Sequence, residues 1–325
     1  MPKKPAQPQE TTTLDMFGDP VVRPMPPVTR RVIEASANIA LDPPEAIDFL
    51  HAVLCQVGMP RRKTEARTFE RSSGAASMLL EAGRLWRRGK WVEQPLPYGT
   101  RPRLVMVHIS SEAVRRKSRE IEIGDSIRDF LIRLGIDTSG GAKGGYTMFR
   151  KQMEALAACR LSLGMSTQDR DITINTQPIR RFEAWLSTDG QQQPMWPGVL
   201  ELSEDFFTTL AEHAVPLDHR ALAAIKNSAL ALDTYTWLAH RLCRVRQATG
   251  IKVSWANLRD QFGQEYTGHD AVRDFKTEFK KSIRKVLAVY PQAKVEPQPG
   301  GLLLKPSPPP VTKTQVLVSP PRRIR

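Results

Sequence analysis

The segment from Ala271 to Tyr290 constrains what this chain can fold into more than any other. At 100° per residue, Val272, Phe275, Phe279, Ile283, Val286 and Tyr290 fall within about 80° of one another, so a helix with one apolar face is predicted there. Beside that face Arg273, Lys276, Lys280 and Arg284 step along a single stripe, widened by Lys281 and Lys285. Such a helix docks through one side and presents a row of cations on another. Its surroundings narrow the fold further. Ser228 can cap a long helix carrying Leu232, Tyr235, Leu238 and Leu242, and Ser254 a short one carrying Trp255, Leu258 and Phe262. A turn with Gly263 and Gly268 leads into the basic helix, and Val295, a Pro-Gly turn and Leu302–Leu304 read as a hairpin. Helix, short helix, turn, basic helix and hairpin is the order of a winged helix-turn-helix.

The same order of parts is read once earlier. Asp125 can cap a helix carrying Ile127, Phe130, Leu131 and Leu134, and a glycine-rich turn with Lys143 follows it. A second helix from about Thr147 to Cys159 buries Phe149, Met153 and Leu156; strands are read over Leu161–Met165, Ile172–Thr176 and Phe182–Leu186. Upstream, residues 31–57 read as two helices broken at Asp42-Pro43-Pro44, and Ser77–Leu80 as a strand. A basic and aromatic stretch (Arg84, Trp86, Arg87, Arg88, Lys90, Trp91), a buried apolar run at 103–110 and a short strand at Ile121–Ile123 come next. Residues 1–30 hold seven prolines and four threonines, and residues 305–325 are Pro-rich and basic. Neither end buries enough apolar surface to offset its ordering entropy, so both read as disordered tails. The expected class is therefore mainly α with short β-hairpins (α+β). It comprises a tail over 1–30, a first winged-helix domain with an N-terminal helical extension over 31–215, a second winged-helix domain over 216–305, and a tail over 306–325.

Charge indicates the partner. The chain of 325 residues carries a formal charge of +14, which predicts a polyanion. No run of 18 apolar residues is present and no apolar stretch follows the basic N-terminus, so neither a membrane span nor a secretory signal is expected. Cys55, Cys159 and Cys243 lie far apart, fit neither a disulfide framework nor a zinc spacing, and suit a reducing cytoplasm. The histidines form neither HxH nor HExxH, and GxxxxGK[ST] is absent, so no metal site, cofactor or ATPase is expected. Asp169-Arg170-Asp171 could mimic paired carboxylates but reads better as a turn between strands. With no catalytic constellation, the candidate site residues are DNA contacts. In the second unit these are Arg273, Lys276, Lys280, Lys281 and Arg284, where a solvated Lys-rich surface helix is the plain alternative. In the first they are Lys143, Tyr146, Arg150 and Lys151, beside glycines that would either let backbone N–H groups approach a phosphate or form a flexible loop.

Residues 96–136, LPYGTRPRLVMVHISSEAVRRKSREIEIGDSIRDFLIRLGI, followed by FRKQMEALAACRLSL from Phe149, resemble RepA-type plasmid replication initiators. A second block from Val215, VPLDHRALAAIKNSALALDTYTWLAHRL, resembles the opening of that family's second domain. Ala229 departs from a usual helix-opening proline, and Ala142-Lys143-Gly144 falls in a variable turn. The resemblance spans about residues 45–305. It implies a bacterial, plasmid-associated protein with two winged-helix domains that binds directly repeated origin sites (iterons) and opens the origin. It further implies binding as a monomer to repeats and as a dimer to an operator that represses its own gene. Recruitment of host initiator and helicase proteins, without a cofactor, belongs to the same picture. A winged-helix repressor without a replication role is the runner-up; a nicking or priming enzyme and a non-specific RNA or membrane coat are more distant readings. In the N-terminal tail, Leu14, Asp15, Met16 and Phe17 resemble the short peptide by which bacterial proteins dock to the replicative sliding clamp, with Thr13 in place of its usual glutamine.

Overall fold

The computed structural model describes residues 27–87, 89–122, 127–136, 138–139, 144–166, 169–181, 199–312 and 315–316. Asp125, Lys143, the Phe182–Leu186 strand, the Leu14–Phe17 peptide and nearly all of the 1–30 tail lie outside these residues. Within them the chain is a mixed α/β protein with five small sheets of two to four strands.

The pair of helices expected over 31–57 is instead a helix, a strand and a short helix: α1 (Pro27–Leu41), β1 (Ile47–His51) and α2 (Ala52–Gln56). All five residues of β1 are buried, and a short run buried on both faces has no period that separates strand from helix. Two hairpins follow, β2 (Thr68–Ser73) with β3 (Ala76–Glu81) and β4 (Arg84–Arg87) with β5 (Lys90–Glu93). The apolar run at 103–110 lies inside α3 (Thr100–Arg116), which buries Leu104, Val105, Met106, Val107 and Ile109. Ten of its seventeen residues are buried, polar Arg103, Ser110 and Ser111 among them, so the helix runs through the core. Lys117 closes it in the left-handed conformation, with Arg115 and Arg116 at its carbonyl end.

Next come β6 (Glu120–Glu122), α4 (Ile127–Arg133), α5 (Gly145–Ala158), and the hairpin of β7 (Arg160–Ser166) with β8 (Asp171–Thr176). Phe149, Met153 and Leu156 of α5 are all buried. The hairpin extends β2 and β3 into a sheet ordered β2-β3-β7-β8. β9 (Ile179–Arg181) and β6 flank β10 (Val199–Leu202) in a separate three-stranded sheet. α6 (Glu204–His213) leads into β11 (Ala214–Asp218), which pairs antiparallel with β1 from Ile47↔Asp218 to His51↔Ala214. The boundary expected at 215/216 therefore falls inside a strand that joins both parts of the chain. α7 (His219–Ile225) and α8 (Ala229–Arg241) follow, with the Ser228 hydroxyl accepting from the Ala231 N–H. The last elements are β12 (Ile251–Ser254), α9 (Trp255–Phe262), α10 (Ala271–Ala288), β13 (Val295–Gln298) and β14 (Gly301–Leu304). Their sheet is ordered β12-β14-β13.

One hydrophobic core runs from Val32 to Leu304. A small second cluster corrects the expected C-terminal tail, because Val311 is buried against Ile47 and Phe49. The Pro308 carbonyl also accepts from the Tyr290 hydroxyl at 2.7 Å. An extended proline-rich segment can lay one apolar side chain into a groove without forming any element of its own.

His51 caps α2 with its Nδ1, which accepts from the Val53 N–H at 3.2 Å, and stacks on Phe206. Burial, aided by the charge of His213, lowers its pKa from 6.5 to about 4. Burial and the charges of Arg244 and Arg241 bring His240 to about 4 as well. The unfolded chain binds protons that these folded histidines refuse. Their contribution is therefore complete above pH 6.5 and is lost as pH falls towards 4. Denaturant melts should lose about 2 kcal/mol per histidine between pH 7.5 and pH 5. His51→Asn, which keeps a capping acceptor, should remove roughly half of that slope.

Candidate nucleic-acid interface

α10 is held by its apolar side. Phe275, Phe279, Ile283 and Val286 are fully buried, and Phe279 meets the rings of Trp255, Phe262 and Phe275 at 5.4–6.1 Å. Val272, expected on that face, is 46% exposed, and Ala271 is buried in the first turn instead. With that face occupied, Arg273, Lys276, Thr277, Lys280, Lys281 and Arg284 line one groove together with Trp255 of α9. The predicted cationic stripe is thus brought together on one surface. Helical spacing alone gives Trp255 a packing role; it does pack, but its ring also lies 5.9 Å beneath the Lys276 ammonium. Its position directly after the capping Ser254, whose hydroxyl accepts from the Asn257 N–H, turns it outward at the helix start.

Arg273 pairs with Asp270 at 3.0 Å and Asp274 at 3.6 Å, and Lys281 with Glu278 at 2.8 Å. These are exposed pairs, worth about 0–1 kcal/mol, and a phosphate can replace the carboxylate at little cost. The groove offers donors and positive charge at helical spacing.

Long-range polar contacts fix where α9 and α10 sit. Arg103 of α3 makes a two-pronged ion pair with Asp233 of α8, at 2.6 and 2.7 Å, and also donates to the Met59, Pro60 and Gly99 carbonyls. Gly58 packs so closely on Asp233 that a Cβ there would collide with the carboxylate. Arg61 grips Glu265, in the turn before α10, through both its N–H and its guanidinium at 2.7 Å. Burial would raise the Glu265 pKa, but the charges of Arg61 and Arg71 and the Arg61 N–H lower it below the usual carboxylate range. Gln261 of α9 donates to the Gln56 carbonyl at 2.7 Å.

The surface expected on α5 is sparser. Tyr146 and Lys151 are exposed, while Arg150 leans on Glu154 at 3.7 Å. At its start Ser139 accepts from the Gly145 N–H through its hydroxyl and from the Tyr146 N–H through its carbonyl, both at 3.2 Å, while residues 140–143 of the expected phosphate cradle lie outside the described residues. Among the described residues no three His, Cys, Asp or Glu side chains cluster as metal ligands, and no helix is long and apolar enough to cross a membrane.

Residues 96–257 match the family model described as plasmid encoded RepA protein, about half of the chain and inclusive of both blocks singled out above. No curated protein matches. Among solved structures, a crystal structure of domains 2 and 3 of RctB resembles 76% of this chain and 88% of its own, at 12% identity and a TM-score of 0.46. The chain belongs to the family of plasmid-encoded RepA proteins, the RepA-type replication initiators.

Proposed function

We propose that this RepA-family chain binds double-stranded origin DNA sequence-specifically at directly repeated sites, opens the origin and recruits the host initiator and helicase. It acts in the bacterial cytoplasm without a cofactor or catalytic activity of its own. Monomers bind repeats, and dimers act on an operator in copy control. In this reading β12, α9, α10, β13 and β14 form one winged helix, with α10 in the major groove, and α4, α5, β7 and β8 a second. The observation that carries it is the α10 groove, where one helix buries its aromatic face and aligns its cations along the edge beside it.

The test is binding to the DNA flanking the gene. Protection of several direct repeats about two helical turns apart supports an initiator, whereas a single inverted repeat would reduce the protein to a repressor. Lys276→Ala with Lys280→Ala should lower the slope of log K against log salt by about 1.8, from roughly 0.9 per phosphate contact. An unchanged slope in a protein with native circular dichroism would falsify the assignment.

The Leu14–Phe17 peptide adds the sliding clamp as a partner, with Leu14, Met16 and Phe17 filling an apolar pocket on it. Met16→Ala with Phe17→Ala should abolish clamp pull-down and leave origin binding intact. A tail peptide without clamp affinity at high micromolar concentration would reduce the motif to coincidence.

A further inference from the structure

The β4–β5 hairpin carries an aromatic pair that the surfaces above do not use. Trp86 and Trp91 are direct cross-strand partners, with ring centroids 5.4 Å apart and planes at 66°. They are 58% and 64% exposed, although burying either ring would be worth a few kcal/mol. The hairpin beneath them is firmly anchored. Gly83 lies so close to the Ala158 carbonyl, at the end of α5, that a Cβ would collide with it. The Gln94 N–H donates to the Gly83 carbonyl at 3.0 Å, and the Arg67 guanidinium donates to the Gln94 and Ala82 carbonyls at 2.7 and 2.8 Å. The exposed rings therefore sit on a fixed base.

Charge identifies what these rings meet. The cleft beside the hairpin is lined by Arg67, Arg84, Arg160 and both tryptophans, and Lys90 is exposed on the neighbouring strand end. The carboxylates on this surface are Glu93, which pairs with Arg84 at 2.8 Å and Arg67 at 3.9 Å, and Glu81. Cations outnumber carboxylates, which favours a polyanion over an acid-poor protein surface. A duplex hides its base faces in the stack, so a protruding indole has nothing to stack on there. An unpaired strand offers both an open π-face at each base and a phosphate at each step.

We propose that the β4–β5 hairpin is a binding site for single-stranded DNA, with unstacked bases laid on Trp86 and Trp91 and the backbone tracked by Arg84, Lys90 and Arg160. The site is separate from the α10 groove, so the two readings stand or fall independently. The experiment uses the full chain and a labelled oligo-dT of about 16 nucleotides, followed by fluorescence anisotropy beside duplex repeat DNA. Wild type should bind the oligonucleotide. Trp86→Ala with Trp91→Ala should weaken that binding by at least about tenfold while duplex binding stays unchanged. Trp86→Phe with Trp91→Phe should retain most of it, and Lys276→Ala with Lys280→Ala should show the opposite selectivity. The idea is overturned by any of three results: no oligo-dT binding by wild type at tens of micromolar, wild-type affinity in the double alanine variant, or equal loss of duplex and single-strand binding in that variant. Tighter binding of oligo-U of the same length overturns the assignment to DNA.

Discussion

Asp233→Ala should cost the fold about 3–5 kcal/mol, because it strands the buried Arg103 guanidinium without its counter-charge. The carbonyls of Met59, Pro60 and Gly99 would still accept its hydrogens, but they carry no compensating net charge. Arg103→Met with Asp233→Leu, which removes both charges and fills the space, should recover most of the loss. Urea melts of Arg103→Met, Asp233→Leu and the double variant form the cycle. A double variant as unstable as the single ones would mean that the carbonyl contacts, rather than the charge pair, hold this joint.

Phe279→Ala should be comparably damaging, at about 3–5 kcal/mol, since it empties the centre of a four-ring cluster with Trp255, Phe262 and Phe275. Lys276→Ala, one turn away on the exposed edge, should leave the melting temperature nearly unchanged while weakening DNA binding. Thermal melts that reverse this order would place α10 with its other side against the core.

The α9–α10 region was the most legible part of the chain because its signals are local and agree with one another. Ser254 caps, the aromatic residues recur at helical spacing, and the Pro-Gly turn separates a short strand led by Val295 from the apolar Leu302–Leu304. Val272 was misplaced because angular proximity to the apolar face does not decide burial at the first turn, where Ala271 fits against the core instead. β1 was unreadable as a strand since both of its faces are covered and its pattern has no alternation. The Arg103–Asp233 and Arg61–Glu265 pairs span 130 and 204 residues, and nothing near any of the four announces its partner. Composition alone does not reveal how the segment after Pro306 is anchored, through Ser307, the Pro308 carbonyl and Val311, with Val316 packed beside it.

The pairing of β1 with β11 makes this molecule poor material for cut-and-paste engineering. A hybrid spliced at 215/216 from two related chains would have to match a strand register, a shared core and two long-range ion pairs at once. An exchange confined to the outward side chains of α10 disturbs none of these. On the proposed reading of α10, new recognition is written onto one edge of one helix, side chain by side chain, while the frame that aims it is inherited whole.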